Sequence, residues 1–153
     1  MSGPVFVDTN VFVYRHDLSD PVKQELAERW IDLLASTRMG RLSYQVLQEL
    51  FATLTRTRGP SFPRSEAREI VEALAVWRPI RTDLAILQRA WVIQERFRIS
   101  WWDSLIVGAA QASACRILLT EDLQDGQVLD TVRVLNPFAP PGRNPRETLE
   151  AAS

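Results

Sequence analysis

The sequence predicts an α/β fold in three layers, with a mostly parallel central sheet of four to five strands and helices on both faces. Three observations predict it. Short apolar runs at Pro4–Val7 and Arg116–Thr120 read as buried strands. Between them, apolar residues recur at helical spacing. The 153 residues also amount to one domain, with no internal repeat and no second core.

Each element has a local reason. Pro4–Val7 is apolar and carries β-branched and aromatic residues, and a helix is expected to begin near Val11 after Asp8-Thr9-Asn10. Ser19-Asp20-Pro21 is a helix start with proline at the first helical position, followed by Val22, Leu26, Trp30, Leu33 and Leu34. Arg41–Ser43 is a short strand. Val46, Leu47, Leu50, Phe51 and Leu54 mark an amphipathic helix. The breaker segment Gly59–Pro63 separates it from a helix marked by Ala67, Ile70, Val71, Leu74 and Trp77. Arg78–Thr82 is a further short strand, and Asp83 caps a helix reaching Phe97. Ser100 opens another helix, to about Cys115. After the strand Arg116–Thr120 comes a loop, Glu121–Gly126, and a last strand, Val132–Leu135. Residues 1–138 form the domain. Residues 139–153 read as a loose, flexible tail with a frayed helix near Glu147–Ala152.

Composition excludes several classes. A single cysteine, Cys115, forbids an intrachain disulfide, and its small apolar surroundings make it a packing residue. No apolar run reaches the length of a membrane span, and the N-terminus lacks a signal pattern, so a soluble cytoplasmic protein is expected. The net charge of −1 argues against a large uniform positive field. Of the 18 basic residues only Lys23 is a lysine, and no Gly-Lys-Ser/Thr exists, which rules out a P-loop. His16 is the only histidine, which rules out a zinc site of two or more histidines.

In a parallel sheet, ligands bind beyond the carboxyl ends of the strands. Asp8 follows the first strand, and Glu121-Asp122 follow Thr120. Glu49 and Asp103 lie in the opening turns of helices, on the same edge. Each acid also has an ordinary reading. Asp8 can cap the next helix. Ser100-x-x-Asp103 fits a variant capping box. Glu49 falls away from the apolar face of its helix, where exposure is expected. Glu121 and Asp122 can be turn residues.

Four segments together resemble a known family. Val5-Phe6-Val7-Asp8-Thr9-Asn10-Val11-Phe12-Val13-Tyr14 resembles the opening motif of the PIN-domain nucleases, and in particular the VapC-type toxins of toxin–antitoxin pairs. Ile99–Ala110, with Asp103 opening a small-residue helix, resembles their second signature. Ile117–Leu123 resembles the third, a strand ending in Thr/Ser-x-Asp, and Leu47-Gln48-Glu49-Leu50 matches the internal glutamate. The four occur in family order across about residues 4–138.

The resemblance implies a PIN-like three-layer fold and an acidic quartet of Asp8, Glu49, Asp103 and Asp122. Glu121 and Asp125 compete for the last position. Asn10 and Thr120 would orient carboxylates or a bound water. Oxygen ligands without histidine or thiolate select a hard ion, Mg²⁺ or Mn²⁺. Asp8 and Asp103 are its expected direct ligands, with Glu49 and Asp122 holding waters or a second ion. The implied activity is hydrolysis of RNA phosphodiester bonds, with the ion activating water and stabilising the leaving oxygen. Arg15, Arg41, Arg56 and Arg58 are candidate RNA contacts by nearness. Trp101 and Trp102 can stack a base, although core packing is expected for at least one. The resemblance further implies a homodimer and a VapB-type antitoxin covering the acidic groove.

An aspartate-nucleophile phosphatase is the competing enzyme. It needs Asp-x-Asp and a later lysine, whereas Asn10 holds the second position and Lys23 lies far from the later strands in sequence. A receiver domain fails on the same lysine. A non-catalytic RNA- or protein-binding module on this fold is the alternative of another class.

Overall fold

The computed structural model describes residues 3–56, 61–139 and 144–152. Five strands form one sheet: β1 (Val5–Val7), β2 (Gly40–Arg41), β3 (Ile117–Leu119), β4 (Val128–Leu129) and β5 (Val132–Leu135). Their order is β2-β1-β3-β5-β4. β2, β1, β3 and β5 are mutually parallel, and β4 pairs antiparallel with β5 at one edge. Buried Phe6, Leu118 and Leu119 show no solvent exposure, as expected of central strands covered on both faces.

Among the described residues, seven α-helices connect and cover the strands. α1 (Thr9–Arg15) and α2 (Pro21–Ser36) lie between β1 and β2. α3 (Tyr44–Thr55), α4 (Arg64–Ala73), α5 (Leu84–Phe97) and α6 (Trp101–Ala112) lie between β2 and β3. α7 (Pro145–Ala152) ends the described chain. The first connection moves one way from β1 and the second returns to its other side. Right-handed crossovers in opposite directions place their helices on opposite faces. The reversal at β1 and β3 makes a crevice between their carboxyl ends.

The helix starts follow the sequence signals. Asp20 accepts from the Lys23 amide ahead of Pro21, Ser43 from Val46, Asp83 from Ile86 and Ser100 from Asp103. Each cap satisfies one of the orphan N–H groups of a helix start. Trp30 on α2, Leu50 on α3 and Ile93 on α5 fill the core around the sheet.

Four expectations change. The strand expected at Arg78–Thr82 is a single bridge, in which Ile80 pairs with Ser43. Pro79 lacks an N–H for a longer ladder. The helix expected through Trp77 tightens into a 3₁₀ turn, Leu74–Trp77, because Pro79 disfavours helical backbone before it. β4 was not expected: two residues are too short to show a period. The C-terminal segment, expected as a loose tail with a frayed helix near Glu147–Ala152, has that helix as α7, and it is docked: Leu149 is 2% exposed and joins the core. Part of the expected breaker Gly59–Pro63 lies outside the described residues.

Leu149→Ala tests the docking of α7. Truncating a buried leucine costs about 2–5 kcal/mol. The midpoint of thermal unfolding should therefore fall by roughly 5 °C or more for a domain of this size. An unchanged midpoint by differential scanning calorimetry would mean that α7 is not part of the cooperative core.

A candidate acidic active site at the β1/β3 switch point

The site is built on the residue that follows β1. The Asp8 amide donates to the Leu119 carbonyl, which continues the β1–β3 ladder by one bond and fixes the side chain at the crevice. Asp8 is 4% exposed. Its Oδ1 accepts from the Thr9 amide at 2.7 Å, so the capping role and the site position coexist. Its Oδ2 accepts from the Thr120 hydroxyl at 2.8 Å and the Asn10 amide at 3.4 Å.

Asn10 ties the two strand ends together. Its Nδ2 also donates to Thr120 Oγ1 at 3.0 Å and to Asp122 Oδ2 at 3.2 Å, and its Oδ1 accepts from the Glu121 amide. Thr120 Oγ1 in turn accepts from the Asp122 amide. Asn10 thus touches both carboxylates that follow the central strands, and Thr120 touches the Asp8 carboxylate and the Asp122 backbone amide.

The other two acids come from helix starts. Glu49 is half-buried rather than exposed. Its Oε2 accepts from the Thr9 hydroxyl at 3.1 Å and its Oε1 from Gln45 Nε2 at 2.7 Å. Two donors satisfy the carboxylate where helical periodicity alone had placed it in solvent. Asp103 lies in the first turn of α6, where its amide is capped by Ser100. Glu49, Asp103 and Asp122 line one cavity of about 600 Å³ with Gln45, Gln48 and Trp102. Thr9 and Gln45 were not singled out from the sequence. Gln45 lies one helical turn before Glu49, which is the only local signal it gives.

The electrostatics mark Asp8 most strongly. Burial raises its pKa from 3.8 to about 7, against the hydrogen bonds from Thr120 and Thr9, with Asp122 and Glu49 repelling its charge. Asp103 is also raised, first by burial and then by Asp122, while Ser100 pulls the other way. Among the described residues, none of the four acids forms an ion pair. Among the described residues, no three Asp, Glu, His or Cys side chains stand close enough to share one ion. The donor set is nevertheless all oxygen. It fits a hydrated hard cation, which needs only one or two carboxylates and completes its shell with water.

The neighbours of Asp122 point elsewhere. Glu121 pairs with Lys23 Nζ at 2.8 Å, and Asp125 accepts from the Asn136 amide. Lys23 also donates to the Tyr14 hydroxyl and sits over the Tyr14 and Phe138 rings. The lysine distant in sequence therefore reaches the end of β3, so its distance is no ground for excluding lysine-dependent chemistry. It engages Glu121 and not Asp8, and the second motif position is still the amide Asn10.

The residues matching a PIN domain model run from 5 to 125. The chain belongs to the PIN domain family. No curated protein matches its sequence significantly. Solved structures share the fold, two of them toxin–antitoxin proteins. One is VapBC2 from Rickettsia felis bound to a DNA fragment from their promoter: 16% identity over 86% of this chain and 97% of that chain, TM-score 0.63. The other is Mycobacterium tuberculosis VapC20, described as a sarcin–ricin-loop-cleaving toxin: 18% identity over 74% of this chain and 86% of that chain, TM-score 0.54.

The remaining candidates divide on this PIN domain. Trp101 packs partly against the core and stacks on Trp91 at 6.4 Å, whereas Trp102 is 64% exposed at the cavity wall. Arg15 pairs with Asp32. Arg41 lies on β2 opposite Phe6, and its guanidinium donates back to the Arg38 and Gly40 carbonyls. Arg56 ends α3 and is exposed, and Arg58 lies outside the described residues. Cys115 is buried, and its thiol is pushed up to about 12, which fits packing and not reactivity.

Asp8 gives a stability prediction. Its folded-state pKa lies above the unfolded one, so its charge costs stability above about pH 4 and fully so above about pH 7. The cost is on the order of 4 kcal/mol. In EDTA, Asp8→Asn should unfold at a higher temperature than the parent at pH 8, and the gain should vanish as the pH falls to about 4. A parent as stable as Asp8→Asn across this range would contradict the buried, unpaired carboxylate.

Proposed function

We propose that this PIN domain is a divalent-metal-dependent endoribonuclease, the toxin of a toxin–antitoxin pair. The observation that carries the reading is Asp8: a buried carboxylate at the sheet's switch point, repelled by Asp122 and Glu49 and, among the described residues, paired with no basic side chain. Asp8 and Asp103 would hold Mg²⁺ or Mn²⁺. When bound, the ion would polarise the scissile phosphate and lower the pKa of an attacking water.

The chain's own groups do the positioning. Thr120 and Asn10 fix Asp8 Oδ2, Asn10 also fixes Asp122, and Thr9 with Gln45 fixes both oxygens of Glu49. Raised pKa values at Asp8 and Asp103 mean that a cation and a proton compete for the same oxygens. Activity should therefore rise with pH through about 7. Exposed Trp102 offers a ring on which a base can stack. The described activity of VapC20 supports cleavage within a loop. The VapBC2 complex supports an antitoxin of VapB type as partner. The proposed toxin acts as a homodimer in the cytoplasm.

One observation favours a second reading. Among the described residues, no three acids stand close enough to share one ion, which is what a non-catalytic RNA- or protein-binding PIN module would show. A single experiment separates the two. Purified protein should cleave RNA in Mg²⁺ or Mn²⁺, stop in EDTA, and lose at least 100-fold in rate with Asp8→Asn or Asp103→Asn while keeping its circular dichroism. RNA that is bound and never cleaved with either ion would establish the binding module instead.

A further inference from the structure

The sheet is electrically polarised. The carboxyl ends of β1 and β3 carry the acids. Arginines stand toward the amino ends: Arg116 just before β3, Arg133 beside Ile117, and Arg41, which lies on β2 beside Phe6 but turns its guanidinium back to the Arg38 and Gly40 carbonyls. A net charge of −1 conceals this separation.

At that basic edge lies a second cavity of about 690 Å³, between the end of α2, β2 and the 3₁₀ turn. Arg38, Arg41 and Arg78 line it, and no acid does. Among the described residues, the four ion pairs involve Arg15, Lys23, Arg29 and Arg96, so none of these three arginines has a carboxylate partner. Arg41 Nη1 donates to the carbonyls of Arg38 and Gly40, which anchors its guanidinium at the wall. Arg38 and Arg78 are exposed.

The wall is built for closeness. A Cβ on Gly40 would stand 2.2 Å from the Trp77 ring, so glycine there lets the indole lie against the β2 backbone. Trp77 meets Phe12 edge-on at 5.5 Å and is thereby held from the core side. Three arginines, from the turn after α2, from β2 and from the end of the 3₁₀ turn, thus line a cavity that has an aromatic wall. Guanidinium forks match phosphate oxygens in pairs.

We propose that this cavity binds the phosphate groups of a nucleotide-containing ligand, with a strand of RNA as the occupant. For the RNA, the proposal rests on the nuclease reading. The acidic edge repels a polyanion and the arginine edge attracts it, so the strand is held at a place remote from the acids. The polarised sheet supplies both functions in one small domain.

The test is a binding measurement in EDTA, where cleavage does not interfere. Fluorescence anisotropy would follow a single-stranded RNA of about 12 nucleotides with the parent, Arg38→Gln/Arg78→Gln, and the control Arg64→Gln/Arg89→Gln, which removes two exposed arginines elsewhere. Arg41 is kept because it ties backbone carbonyls. Loss of two phosphate contacts should lower affinity roughly tenfold and flatten the plot of log affinity against log salt by about 1.4, with the control near the parent. Competition by inorganic phosphate and a nucleoside monophosphate distinguishes the sources. If the monophosphate binds as tightly as the RNA and is lost in the same variant, the site takes free nucleotides and the phosphate assignment stands. Equal affinity and slope for parent and variant would overturn it. So would an equal loss in the control, or a polyglutamate binding as tightly as RNA. Because no outcome depends on cleavage, absence of nuclease activity leaves this test intact.

Discussion

The burial of one carboxylate at the end of β1 constrains everything around it. An ionised acid out of water needs donors, protons or a cation. Here the Thr9 amide, the Thr120 hydroxyl and the Asn10 amide supply the donors. They come from the two strand ends that the sheet places side by side. If β1 and β3 were not adjacent and parallel, Asp8 would have neither Thr120 nor Asp122 near it. The topology is therefore a condition of the site and not merely its scaffold.

The donors do not neutralise Asp8. Burial and the neighbouring acids still win, and the carboxyl titrates near neutrality. A fold that keeps such a group accepts a stability cost at physiological pH, the usual signature of a functional position. Around it the local interactions are conservative. Helix caps at Ser43, Asp83 and Ser100 are ordinary. The Lys23–Glu121 pair, roofed by Tyr14 and Phe138, fastens the turn after β3 to α2. Rigid surroundings thus hold a strained electrostatic centre.

Much of this was legible in the sequence. The apolar runs marked β1, β3 and β5, the caps marked the helix starts, and the resemblance of four short segments to known motifs marked the family. The weak points share a cause. β4 and the bridge at Ile80 are too short to carry a period. Leu149 has one apolar side chain in a polar segment, which only its neighbours can make a core residue. Glu49 looked solvent-facing because helical periodicity does not record that Thr9, 40 residues earlier, will reach it.

The sequence by itself determined the fold class, the order of its elements and the identity of the acids at strand ends and helix starts. These follow from local propensity and period, which adjacent residues carry. Only the tertiary structure decided how Asp8 is placed among the acids. It put Asn10 and Thr120 between Asp8 and Asp122, turned Glu121 away to Lys23, and separated the acidic edge from the arginine edge. Those outcomes depend on which strands lie side by side, a long-range fact that no local pattern contains.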